Sequence, residues 1–272
     1  MLKSMYSGVS GMRGFQTKLD VIGNNIANVN TVGFKGSRVM FKDIMSQTTA
    51  GVTAPTDTPS GGVNAKQIGL GVSVGSIDTL HLAGSPMTTN NPTDLRINGD
   101  GFFLVSMGDD QEVPFLTRAG DFHVDAARNL VTSDGLFVLD SEGEAITIGD
   151  DVVSFTIGQN GMINQTMADG TIEGETQIGI GKVVNPEGLE KIGGNLYRMT
   201  ANANPDGTLD PLTANSAEDG TGAIIAGQLE MSNVDLTGEF TEMIVAQRGF
   251  QANSRIITTS DEILQEVVNL KR

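Results

Sequence analysis

Gly71-Val72-Ser73-Val74-Gly75 has the G-x-S-x-G spacing of a nucleophile elbow, in which a strand, a sharp turn and a helix expose a serine hydroxyl for acyl transfer. No helical periodicity follows it, and the two histidines of the chain, His81 and His123, both lie in strand-like text. A glycine-spaced strand is therefore the reading for 71–75. The same two histidines fall short of a zinc site, which needs three or four ligands at constrained spacing. Asp109, Asp110 and Glu112 lack the alternating order of a calcium loop and read as a solvated turn. With no cysteine in the chain, a thiolate metal site, a cysteine nucleophile and a disulfide framework are excluded. Catalytic residues, metals and cofactors are all expected to be none.

The informative spacing lies at the two ends. Met5, Val9, Met12, Phe15, Leu19, Ile22, Ile26 and Val29 recur at steps of three and four, the pattern of a helix with one apolar stripe. Near the other end Met243, Phe250, Ile257 and Leu264 sit seven apart, and a companion series runs Phe240, Gln247, Ser254, Asp261, Val268, apolar only at its two ends. A seven-residue repeat suits a coiled-coil seam. Two arrangements satisfy these stripes: self-assembly through paired terminal helices, or helices folded back as ordinary core. The polar Gln247, Ser254 and Asp261 interrupt a seam that a single-chain core keeps dry, which favours self-assembly.

Charge is unevenly distributed. Residues 1–42 carry six bases against Asp20 alone, a net of +5, whereas residues 230–272 carry a net of −3 within a chain total of −16. The ends are complementary and the middle is an acidic coat. Such a coat argues against nucleic acid and anionic membranes, both polyanions, as partners. No continuous apolar run suggests a secretory signal near the start, and none reaches the ~18 residues of a membrane span.

The first helix is predicted from Ser4 to Val29, with Asn28, Asn30 and Gly33 as stop signals. Residues 43–67 are rich in Thr, Gly, Pro and Ala and read as extended connector. From Ile68 short apolar runs such as GFFLV and LFVL alternate with Asn98-Gly99, Asp100-Gly101, Asp134-Gly135, Asn160-Gly161 and Asp169-Gly170, which are hairpin signals. The closing helix begins beyond Asn233, with Asp235 or Thr237 as N-cap. The fold class is thus α+β: terminal helices pairing as a coiled coil around a central antiparallel β-rich domain. The expected division is residues 1–32 plus 233–272 for helical assembly, 33–67 as connector and 68–232 as the β domain.

Ser7 to Lys35, SGVSGMRGFQTKLDVIGNNIANVNTVGFK, resembles the amino-terminal signature of the bacterial flagellar rod and hook family. Asn233 to Arg272 is similar to that family's carboxy-terminal signature, and Thr117 to Asp140 to its β-domain motif. The resemblance covers the whole chain and is weakest over 141–230. It implies an axial, torque-bearing subunit that polymerises helically around an export channel, with terminal helices forming the inner tube and β domains outside. It also implies export through the flagellar type III apparatus without a cleaved signal, an extracellular place in the flagellum, and contacts with other rod, cap and hook–filament junction proteins.

Glu239-Phe240-Thr241 and Phe250-Gln251-Ala252-Asn253 stand where rod relatives more often have V-E-E-L-V-type and Y-E-I-N-type text. On that ground the chain is expected to be a short hook subunit forming a curved tube, with a distal rod subunit forming a straight shaft as the alternative and a secreted β-rich adhesin as a remoter one. Assembly is expected to rest on the apolar members of the two stripes, with Asn24, Asn25, Asn28, Asn30, Gly33 and Phe34 shaping the exit from the first helix.

Overall fold

The computed structural model describes residues 2–54, 61–108, 113–205, 207 and 209–270. The chain divides into two compact units. The first comprises Met1–Ala27, Ser37–Thr79 and Asp235–Arg272, and the second Asn28–Gly36 and Leu80–Val234. The acidic cluster at 109–112 lies outside the described residues.

In the first unit, α1 spans Leu2–Ala27 and α2 spans Leu236–Asn269, about 39 and 51 Å long at ~1.5 Å per residue. The Asp235 carboxylate caps α2 by accepting from the amides of Thr237 and Gly238, which satisfies two of the donors that a helix start leaves orphaned. The helices run antiparallel: Gly8 faces Ile257, Gly11 faces Asn253 and Phe15 faces Gly249, while Lys18 pairs with Glu242 at 2.5 Å.

The other described residues of this unit form a two-stranded ribbon. Strand β1 (Ser37–Asp43) continues through Ile44 and Met45 into β2 (Ser46–Ala50), and β3 (Lys66–Gly69) continues through Leu70 and Gly71 into β4 (Val72–Thr79). β1 pairs antiparallel with β4, and β2 with β3. Bonds from Ile44 N to Gly71 O and from Leu70 N to Met45 O join the two pairings, and Thr53 bridges Val63 farther out. Each arm extends roughly 55 Å at ~3.3 Å per residue.

The span expected as a connector at 33–67 is therefore largely paired strand, and 68–79, assigned from sequence to the β domain, supplies the ribbon's return arm. Cross-strand partners such as Ser37 and Thr79 lie far apart in sequence, and local periodicity cannot register such a pairing. The ribbon root packs on α1, where the Phe15 and Phe41 rings meet at 5.9 Å and Ser10 Oγ accepts from Val72 N.

The described strands of the second unit all pair antiparallel. Its largest sheet runs in the order 190–193, 196–198, 115–117, 102–106, 137–138, 130–131, 123–124, with 179–181 also on 102–106 and 212–213 on 179–181. Strands 152–157, 162–167 and 172–177 form a meander, 95–98 pairs with 223–226, and 86–88 pairs with 228–230. The run GFFLV is continuous because both faces of strand 102–106 are covered. Phe103 and Val105 join a core with Leu95, Ile97, Phe122 and Ile180, while Phe102 and Leu104 join another with Leu116 and Tyr197.

Asp134-Gly135, Asn160-Gly161 and Asp169-Gly170 turn hairpins, each lying between two antiparallel partners. Asn98-Gly99-Asp100-Gly101 does not. The strands on either side of it pair elsewhere, and the segment instead carries the chain from one sheet to another, with Gly101 at φ +132° pressed on Ile180.

Candidate assembly site

Small residues set the seam between α1 and α2. A Cβ on Gly249 would stand 2.6 Å from the Phe15 ring, and one on Gly11 would stand 2.9 Å from the Asn253 amide; the absence of side chains there lets the backbones approach. Of the expected α1 stripe, Ile22 is buried and Met5, Val9, Met12, Phe15, Leu19 and Ile26 are half-buried. Val29 is half-buried in the second unit. On α2, Met243, Ile257 and Leu264 are half-buried, but the second inward series is Ala246, Asn253 and Ser260 rather than Phe240, Gln247, Ser254, Asp261 and Val268. Apolar periodicity passed over this series because Ala, Asn and Ser are small or polar. The signal available was Gly8 and Gly11 inside helical text, each costing ~1 kcal/mol against Ala unless packing requires it.

Phe240, Phe250 and Val268 are 50%, 37% and 65% exposed. A further apolar stripe, Val245, Ile256, Ile263, Val267 and Leu270, is also uncovered and lies about a quarter-turn around the helix from the seam at ~3.6 residues per turn. The ribbon leaves Met40, Ile44, Met45, Val52, Val63, Ile68 and Ile77 exposed. Single exposed apolar residues are ordinary, whereas aligned runs mark interaction surfaces. Asn25 ties the helix exit within this unit. It is 1% exposed, donates to Ser37 O and Glu239 Oε1, and accepts from Ser37 N. Asn24 is exposed on the last turns of α1.

The rest of the expected exit loop belongs to the second unit. Asn28 accepts from Thr31 through both its side chain and its carbonyl, and Asn30 is exposed. Gly33 has φ +69°, and a Cβ there would stand 2.5 Å from Ala119 N, so no other residue fits. Phe34 is buried beneath the Lys191 ammonium.

Beside this loop is a buried charge cluster that sequence reading missed. Lys35 and Glu230 are each 1% exposed and pair at 2.5 Å. Lys35 Nζ also donates to Leu82 O, and Glu230 Oε1 accepts from Gly84 N. Glu230 Oε2 accepts from Arg118, whose other terminal nitrogen donates to Gly99 O, and the Glu230 carbonyl accepts from Gly33 N. Burial pulls the Lys35 and Arg118 pKa values down while Glu230 pulls both up. Asn233 completes the tie, accepting from Gly36 N and donating to Leu80 O.

Ser73 lies within strand β4 of the first unit with no helix after it, whereas His81 and His123 belong to the second. Among the described residues, no helix is long and apolar enough to cross a membrane.

Residues 5–35 match the family described as flagella basal body rod protein, 96–165 the D1 domain of the flagellar hook protein FlgE/F/G, and 225–270 the C-terminal region of flagellar basal body rod FlgEFG proteins. The flagellar basal-body rod protein FlgG of Bacillus subtilis is 58% identical over 273 residues, with all of both chains covered. The chain belongs to the bacterial flagellar rod and hook family.

It is thus a structural axial protein of the flagellum and not an enzyme. The rod protein FlgG of Borreliella burgdorferi is 36% identical, and that organism's flagellar hook protein FlgE is 29% identical over a 450-residue alignment, both with full coverage of each chain. Identity is higher to these rod proteins than to this hook protein. A crystal structure of Helicobacter pylori flagellar hook protein FlgE2 matches 62% of this chain and 47% of its own at 17% identity and a TM-score of 0.24, too loose a likeness to carry an argument.

Proposed function

We propose that this chain is a rod subunit, one of many that polymerise helically into a straight, torque-transmitting shaft around an export channel. The observation that carries the reading is the 58% identity over the full length of a basal-body rod protein. The hook reading rests on two short stretches of α2 and becomes the alternative. Assembly is assigned to the uncovered apolar stripe of α2 and the exposed residues of the ribbon, with the helices pairing as a coiled coil within each subunit. A two-stranded ribbon is marginal on its own, and a neighbouring copy supplies the missing cover. The subunit leaves the cell through the flagellar type III apparatus and meets other axial proteins at the ends of its segment.

Electron microscopy of the purified chain, concentrated with a kosmotropic salt that strengthens apolar burial and screens the acidic coat, tests this. Straight tubes are expected. Curved tubes return the assignment to the hook, and persistent monomers overturn assembly.

A further inference from the structure

The ring of His81 is wedged edge-on between two aromatic rings of the second unit, 5.7 Å from Phe102 and 5.3 Å from Tyr197. Its Nδ1 is buried with no partner. The charges that reach it from neighbouring segments are Lys35, Lys191 and Arg118, all cations. Glu230 is the carboxylate that Lys35 and Arg118 share; Asp100 acts on Arg118 at longer range. Tyr197, also facing the ring, is held protonated by its burial.

A proton on His81 therefore adds a further positive charge to a half-buried ring beside three cations, whose buried Nδ1 has no acceptor among the described residues, and a poorly solvated, uncompensated charge is costly in a protein interior. His81 is one residue away from Leu82, whose carbonyl takes the Lys35 ammonium, and three from Gly84, whose amide binds Glu230. The same cluster holds Gly33 through the Glu230 carbonyl. Residues 33–36, 80–84 and 230–233 are thereby fastened together, and the chain continues from them directly into β1, back into β4 and on into α2.

We propose that His81 and the Lys35–Glu230–Arg118 cluster form a proton-sensitive latch, closed when His81 is neutral and opened by its protonation, on the segments that lead to the ribbon and to the closing helix. Burial, and then the three cations, push the His81 pKa down from 6.5 to about 4. The unfolded or opened chain binds the proton more tightly than the closed latch. The latch's stability is therefore full above pH 6.5, declines as pH falls towards 4, and changes no further below that. Between pH 6.5 and 5 the closing equilibrium falls by about 15-fold on these two values.

The test is hydrogen exchange of the unassembled full chain at pH 6.5 and pH 5, above the sequence pI of about 4.4. It compares the protein with His81→Phe, both in a His123→Gln background so that His81 is the only histidine at issue. Corrected for intrinsic rates, protection of the Gly33 and Gly84 amides is expected to fall by about 15-fold in the His81 protein and to hold level in His81→Phe. An equal fall in both, or no fall in either, overturns the latch. Should His81→Phe not fold, the imidazole titration of the unsubstituted chain by NMR decides. A ring still at least nine-tenths neutral at pH 5 supports the proposal, and a midpoint at 6 or above refutes it.

Discussion

Replacing Gly249 with Ala separates backbone propensity from seam packing. In a helix interior, Ala is favoured over Gly by ~1 kcal/mol, so propensity alone predicts stabilisation. The added Cβ, however, would stand 2.6, 2.8 and 2.9 Å from three atoms of the Phe15 ring, distances at which something must move. Phe15 is flanked by Phe41, 5.9 Å between ring centres, so the ring does not retreat freely. Overpacking of this kind costs about 1–3 kcal/mol. After the propensity gain, Gly249→Ala is expected to destabilise the first unit by up to about 2 kcal/mol.

Gly23→Ala is the control. Nothing stands within 4 Å of its Cβ position, so it is expected to stabilise by about 0.5–1 kcal/mol. Phe15→Leu supplies the second arm of a double-mutant cycle. With the ring gone, Gly249→Ala recovers the propensity gain of ~1 kcal/mol, leaving a coupling of about 1–3 kcal/mol, the overpacking cost itself. Urea unfolding followed by far-ultraviolet circular dichroism, at concentrations below assembly, measures all five proteins. If Gly249→Ala stabilises as much as Gly23→Ala in the Phe15 background, the close approach of the helices at Gly249 is refuted.

Glu230→Gln removes the one carboxylate shared by Lys35 and Arg118, and it is expected to cost the second unit about 3–5 kcal/mol, read from the urea midpoint. Asp235→Ala deletes the cap of α2 and is expected to cost ~1 kcal/mol, with a matching loss of protection at the amides of Thr237 and Gly238. Ile263→Glu places a charge on the uncovered stripe, so monomer stability should change by no more than about 0.5 kcal/mol, while sedimentation of polymer at high salt is lost. Normal polymer yield from that variant would remove the stripe from the interface.

The sequence by itself determined what local periodicity and turn chemistry can encode. It marked both terminal helices to within a few residues, Asp235 as one of two candidate caps, the Asp134-Gly135, Asn160-Gly161 and Asp169-Gly170 hairpins, and the antiparallel β character between the helices. The terminal signatures also carried the family. Three features were decided only in the tertiary structure. The ribbon at 37–79 needs pairings such as Ser37 with Thr79, whose partners share no local pattern. The inward face of α2 is chosen by how close the facing helix comes, so Gly249, Ala246, Asn253 and Ser260 displaced the larger residues that hydrophobicity favours. Nothing local marks Lys35, Arg118 and Glu230 as buried, because ionised side chains are almost never fully buried unless paired. Pairing is a property of two distant positions brought together, and here the fold alone brings Lys35 and Glu230 to 2.5 Å.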